Sequence, residues 1–247
     1  MLTSEEKQRY SRQMIMAEIG EAGQERLGAA RVLVAGLGGL GSISALYLAA
    51  AGIGCLCLVD NDAVALENLN RQLLHHTHDL GRPKTDSAAQ KLSALNPCCR
   101  IEAVRERITA ENAARMAAGC DLILDATDNA STRAALNRAA LELGIPFVFG
   151  GVSGMDGMVT TVVPGRTPCL ECIFPNLAET DSPAPVPALG PVVGIIASIQ
   201  SLEAIKWFLG LEEDLLVGKL LSIQGRSLRF RTVSLKRNPA CPACGAG

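Results

Sequence analysis

Aromatic side chains are scarce in this sequence: five Phe, two Tyr and one Trp among 247 residues. Proteins that stack single-stranded bases need such rings in number, so the composition argues against that role. Charge of one sign is lacking too. Lys and Arg total 23 against 25 Asp and Glu, a net charge of −2. No global field therefore gathers nucleic acid or an anionic membrane, and any anion site has to be built from a few local cations. No uninterrupted apolar run reaches the roughly 18 residues of a spanning helix. The opening residues, Met1-Leu-Thr-Ser-Glu-Glu-Lys7, lack the basic-then-apolar order of a signal peptide. The expectation is a cytoplasmic protein with no membrane and no nucleic-acid partner.

What is present points to one large α/β domain. Apolar residues make up 48% and charged residues 19%, an ordinary globular balance. Residues 3–30 read as polar helix. Arg31 to Ala35 is a short apolar run that ends in glycines, the pattern of a buried strand. An Ala- and Leu-rich helix from Leu40 to Ala51 follows, then a second strand from Gly54 to Asp60. Residues 61–82 hold polar and turn-forming residues. Pro83 opens an amphipathic helix over 84–95. Strands at Asp121–Asp125 and Pro146–Phe149 flank a helix over Ser131–Leu143. This alternation predicts a Rossmann-like, mostly parallel sheet with helices on both faces. After Gly150 the pattern changes: a strand at Val159–Val163, a proline-rich loop over 175–191, an apolar helix over 192–209, and two antiparallel strands between Gly218 and Ser234. The chain divides into N-terminal helices (1–30), a first half (31–150) and a second half (151–247) of a single domain.

Gly36-Leu-Gly-Gly-Leu-Gly41 lies between the first strand and the helix after it. Gly36, Gly38, Gly39 and Gly41 let the backbone approach a phosphate, and the helix N-terminus offers unpaired N–H groups. Asp60 ends the next strand, where a carboxylate bonds a ribose hydroxyl. The loop by itself suits either a dinucleotide or ATP. The residues after it favour a triphosphate, which needs cations and a metal ligand at close range. Arg71 and Lys84 supply charge. Asp128, in Asp125-Ala-Thr-Asp-Asn129, follows a strand at the sheet edge where open α/β proteins bind ligands, and one of its oxygens suits Mg2+. Each residue also has a plainer reading: a surface cation for Arg71, a helix start for Lys84, and a helix cap for Asp128-Asn129.

Taken together these motifs resemble the ThiF/MoeB/HesA family, bacterial relatives of ubiquitin-activating enzymes. The resemblance spans Arg9 to Cys244. It rests on Arg9-Tyr-Ser-Arg-Gln13, the glycine loop, Asn68-Leu-Asn-Arg-Gln72, Gly81-Arg-Pro-Lys84, Asp125-Ala-Thr-Asp-Asn129 and two Cys-x-x-Cys pairs. It implies an adenylyltransferase that binds MgATP at the glycine loop. The Gly-Gly carboxylate of a ubiquitin-like sulfur-carrier protein attacks the α-phosphate, and pyrophosphate leaves. By motif position Asp60 meets the ribose, Asn68, Arg71 and Lys84 contact the phosphates, Asp128 serves the magnesium, and Gln72 and Asn129 belong to the same nucleotide-binding set. The resemblance also implies a homodimer in which Arg12 reaches the partner's nucleotide. Residues 31–150 then form the nucleotide-binding part and 151–247 the carrier-binding part.

Nine cysteines in such a chain suggest metal or thiol chemistry before disulfides. Cys169-Leu-Glu-Cys172 and Cys241-Pro-Ala-Cys244 supply four thiolates, the ligand set of a structural Zn2+ site. That site would staple the C-terminal tail to the residue-170 loop. Many family members carry a cysteine in the crossing loop before the apolar helix, but residues 173–199 contain none. The resemblance therefore supports adenylation and not a covalent intermediate in that loop, and sulfur is expected from a separate donor protein. His75, His76 and His78 read as solvated loop residues. Two other functions stay open: adenylation of another carboxylate or peptide, and an NAD-dependent oxidoreductase.

Overall fold

The structure is a computed structural model that describes residues 1–181, 184 and 186–245. Residues 3–30 form three short helices, α1 (Ser4–Arg9), α2 (Ser11–Met14) and α3 (Gly20–Ala29). Thr3 starts α1 with a capping box. Its hydroxyl accepts from the Glu6 amide, and the Glu6 carboxylate accepts from the Thr3 amide at 2.8 Å.

An eight-stranded sheet follows, in the spatial order β3-β2-β1-β4-β5-β6-β7-β8. Its parallel half comprises β1 (Arg31–Ala35), β2 (Cys55–Val59), β3 (Arg100–Val104), β4 (Leu122–Asp125) and β5 (Phe147–Ser153). Helices α4 (Gly39–Ala51), α5 (Lys84–Leu95), α6 (Ala113–Ala117) and α7 (Ala130–Leu143) connect those strands. Strands β6 (Asp156–Val162), β7 (Lys219–Gln224) and β8 (Arg229–Ser234) extend it antiparallel. Between β6 and β7 lie the short α8 (Leu170–Ile173) and the long α9 (Gly190–Leu209).

The central strands carry apolar residues on both faces because helices cover both. One core joins Val32, Val34, Leu56, Leu58 and Leu124 to α4, α5 and α9. The other joins Leu33, Ala35, Ile123, Phe147 and Phe149 to α6 and α7. By length and composition α9 is apolar enough to cross a membrane, yet half of it is buried here against α4 and β5. Glu203 on α9 is buried. Its carboxylate accepts from the Thr161 hydroxyl (2.6 Å) and the Leu216 amide (2.7 Å), and it pairs with Lys206.

The parallel half matches the sequence expectation closely, but three elements differ. Strand β3 and helix α6 are not foreseen: β3 is a half-exposed edge strand of mixed polarity, and α6 has only five residues. Strand β5 runs on past Phe149 through Gly150 and Gly151 to Ser153. A Cβ on Gly150 would lie 2.3 Å from the Gln200 side chain, so α9 can pack this closely only against glycine. Of the proline-rich loop Asp181–Pro187, residues Ser182, Pro183 and Pro185 lie outside the described residues.

Candidate active site

The glycine loop sits at the carboxyl end of β1, between β2 and β4. Gly36 has φ of 90°, and its amide donates to Val59 O at 2.8 Å. Its own carbonyl turns toward the first turn of α4, where a Cβ on Gly41 would stand 1.8 Å from Gly36 O. A Cβ on Gly36 would meet Ala126 O at 2.8 Å. The loop therefore threads between α4 and the segment leading to Asp128, and the main chain itself lines the pocket.

Asp60 closes one side. Its Oδ2 accepts from the Leu37 amide and its Oδ1 from the Asp62 amide, each at 2.7 Å. Burial pushes the Asp60 carboxyl up from its ordinary pKa, and the Lys84 ammonium opposes that shift. Lys84 opens α5 and is only 5% exposed, with Nζ 2.9 Å from Asp62 Oδ2. A buried ammonium balanced by an exposed carboxylate can turn to a stronger anion. Arg71 lies beside Gly39 and donates to Glu67 O (2.8 Å) and Asn70 Oδ1 (3.0 Å). Gln72 is buried next to Gly38, and its Oε1 has no partner. Asn68 shapes this segment. Its side-chain oxygen accepts from the Ala65 amide, and its carbonyl accepts from the amides of Arg71 and Gln72.

Asp128 follows β4 on the opposite side. It is exposed and makes no hydrogen bond or ion pair among the described residues. Asn129 is the N-cap of α7, accepting from the Thr132 amide at 2.9 Å. Beneath both lies a buried pair that sequence reasoning missed. Asp125 is fully buried and bonds the Thr127 amide and hydroxyl, at 3.0 and 2.7 Å. Its other oxygen faces Arg133 Nε at 3.4 Å. Arg133 also donates to Thr127 O (2.5 Å) and lies over the Phe149 ring. Burial raises the Asp125 pKa, and Arg133 acts against that rise. The signal in the sequence was the spacing of Arg133, one helical turn after Asn129.

The histidine expectation needs correction. His76 and His78 are exposed, but His75 is 3% exposed. Its ring bridges Ser87 Oγ (2.9 Å) and Leu37 O (3.1 Å), tying α5 to the glycine loop. Burial lowers its pKa, so it is neutral where it sits. Arg12 is exposed on α2 and makes no contact with the glycine loop of its own chain.

The two cysteine pairs converge. Cys169 Sγ lies 3.6 Å from Cys241 Sγ, and Cys172 Sγ lies 3.4 Å from Cys244 Sγ. All four sulfurs fall within 4.8 Å of one another. Zn–S bonds of about 2.3 Å set tetrahedral sulfur edges near 3.8 Å, so the donor set fits zinc. The Asn238 amide points at Cys172 Sγ from 3.5 Å, as an outer hydrogen bond to a thiolate should.

A glycine loop on a doubly wound sheet, with clustered cations and a lone carboxylate across from it, defines a nucleotide-binding α/β protein. The comparisons narrow that class: the model of the ThiF family matches residues 10–243, and the chain belongs to that family. It is 42% identical over 245 residues to the SAMP-activating enzyme E1 of Haloferax volcanii, covering 97% of this chain and 89% of that one. It is 39% identical over 239 residues to the sulfur carrier protein ThiS adenylyltransferase of Escherichia coli, covering 96% and 94%. The crystal structure of E. coli MccB with ATP superposes with a TM-score of 0.84 at 25% identity, over 96% of this chain and 74% of that one.

Proposed function

We propose that the protein is a cytoplasmic, ATP-dependent adenylyltransferase that activates the C-terminal Gly-Gly carboxylate of a ubiquitin-like sulfur-carrier protein and releases pyrophosphate. The observation that carries this reading is the placement of Lys84 and Arg71 on one side of the glycine loop and the unpartnered Asp128 on the other. Relatives named as sulfur-carrier adenylyltransferases support the substrate class.

The chain's residues divide the work. The Gly36–Gly41 backbone lies against the phosphates, and Asp60 accepts from the ribose. Asp128 would hold Mg2+, which would supply charge neutralisation at the phosphate oxygens. Arg71 and Lys84 counter the negative charge that builds as the carboxylate meets the α-phosphate. The substrate supplies the nucleophile, so positioning and charge neutralisation account for catalysis. The four-cysteine site is structural, with no open position for a reacting group.

A homodimer fits the same reading. Tyr47, Leu73 and Phe230 are each more than half exposed around an apolar groove between α4 and α9, the kind of patch that a second copy covers. Arg12 is then free to reach across.

Pyrophosphate exchange into ATP, measured with purified thiamine-type and molybdopterin-type carriers, tests the proposal. Exchange with at least one carrier is expected, and Asp128→Ala should abolish it with the fold intact. Absence of exchange with every Gly-Gly-ended carrier, together with tight NAD binding, would overturn it.

A further inference from the structure

The glycine loop is held from behind by a chain of hydrogen bonds that runs through α5. Asp79 anchors its far end. This carboxylate is fully buried and shared by two cations: Oδ1 accepts from Arg82 at 3.0 Å, and Oδ2 accepts from Lys91. Two cations against one anion leave net positive charge beside Ser87. Lys91 Nζ donates to Ser87 Oγ at 2.7 Å, and Ser87 Oγ lies 2.9 Å from His75 Nδ1. His75 Nε2 in turn lies 3.1 Å from Leu37 O. Ser87, His75 and Leu37 are all buried.

The two ends of the chain fix where each proton sits. A carbonyl oxygen only accepts, so His75 Nε2 carries a hydrogen. Burial lowers the pKa of the ring, and the Lys91 and Lys84 ammoniums add to that against the Leu37 carbonyl and Asp79. The ring is therefore neutral, and Nδ1 accepts from the Ser87 hydroxyl. An ammonium only donates, so Ser87 accepts from Lys91. All three bonds point from the ammonium toward the glycine loop. In such a chain each bond polarises the next.

The last link acts on a peptide group. Leu37 O and the Gly38 N–H belong to one planar trans unit, so they point in opposite directions. The amide of Leu37 is itself pinned by Asp60 at 2.7 Å, so the peptides on both sides of Leu37 are fixed. Gly38 is partly exposed, and its amide donates to no group among the described residues. This unclaimed N–H stands at the N-cap of the 13-residue α4, the end of a helix that favours anions.

We infer that Lys91, Ser87 and His75 form a relay that aims and polarises the Gly38 N–H for the phosphates of the nucleotide. His75 and Ser87 are positioning residues that act through Leu37. The inference rests on the nucleotide reading of the glycine loop and adds the device behind it. It also gives a task to the buried histidine of a run whose other two members are exposed.

Calorimetric titration with ATP, without a carrier, tests the relay. His75→Phe keeps the ring volume and loses both nitrogens. Its ATP Kd should rise about tenfold, the scale of one hydrogen bond lost from a preorganised anion site. Ser87→Ala removes a single hydroxyl in mid-relay and should raise the Kd about threefold. His75→Gln, whose terminal amide can donate to Leu37 O, should recover most of the loss. In pyrophosphate exchange the carrier KM at saturating ATP should hold in all three. Labelling histidine with 15N gives three ring systems, and that of His75 should carry its hydrogen on Nε2 in the nucleotide-free protein. The Gly38 amide 15N signal should move upfield in Ser87→Ala as the bond at Leu37 O weakens, which a packing role for Ser87 does not predict. An ATP Kd within twofold of wild type in His75→Phe overturns the inference, and so does a hydrogen on Nδ1. If His75→Phe shows no cooperative thermal melt, Ser87→Ala decides, and an unchanged Kd there overturns the inference. If the wild type binds no ATP, the nucleotide reading fails. The tautomer and the Gly38 signal need no nucleotide and decide the relay separately.

Discussion

Replacing Arg133 by Met is the sharpest test of how this site is supported. Met keeps much of the side-chain length and removes the charge. Asp125 is then left fully buried, with the Thr127 amide and hydroxyl as its remaining partners. Removing one partner of a buried ion pair costs about 3–5 kcal/mol, because the other charge stays desolvated. For a chain of 247 residues each kcal/mol shifts Tm by about 2–4 °C, so a fall of about 6–20 °C is expected. The pH dependence has a definite sign. Burial already raises the Asp125 pKa against the pull of Arg133, and removing Arg133 raises it further. A carboxyl with a raised folded pKa favours the folded state below the unfolded pKa, near 3.9, and loses that contribution as pH climbs through the folded value. The deficit of Arg133→Met relative to wild type should therefore be smaller at pH 4.5 than at pH 7.5. Urea unfolding of both proteins across that range measures it. Adding Asp125→Asn removes the stranded charge, so the double variant should be more stable than Arg133→Met alone at pH 7.5. A deficit below about 1 kcal/mol, or one that does not change with pH, would refute the account of this pair.

Three further outcomes are expected. Gly41→Ala puts a Cβ 1.8 Å from Gly36 O, so ATP binding by calorimetry should be lost even if circular dichroism still reports a folded chain. Lys84→Met should lower kcat for pyrophosphate exchange by about 10²–10³-fold, the usual effect of removing one preorganised group at developing charge; a change below threefold would remove Lys84 from the phosphate site. Elemental analysis should find one zinc ion per chain, and Cys244→Ser should lose it along with several degrees of Tm.

The parallel half of the fold is legible in the sequence because its strands are short apolar runs bounded by glycine or a charged residue. Arg31–Ala35 and Lys84–Leu95 are read to the residue. Strand β3 escapes because Arg100-Ile-Glu-Ala-Val104 is a half-exposed edge whose partner, β2, comes more than forty residues earlier. The site divides the same way. Gly36 to Gly41, Asp60, Lys84 and Asp128 belong to local motifs, and the fold brings them to one end of the sheet. His75 and Arg133 act through contacts made only after folding, to Leu37 O and to Asp125. Nothing next to His75 in the chain marks it off from the solvated His76 and His78.

The four-cysteine cluster has a consequence for how the chain is made. The parallel strands β1 to β5 are complete once Ser153 has been synthesised, and Cys241 comes 88 residues later. At about 5–20 residues per second, the first half waits roughly 4–18 s for the second cysteine pair. During that interval Cys169 and Cys172 emerge as a two-thiolate site, too small to hold zinc as four ligands do. Until β6 is made and pairs with it, β5 is an open edge, the kind of edge that invites pairing with another chain. The metal clasp can act only late in synthesis, so the nascent nucleotide-binding half has to keep itself soluble.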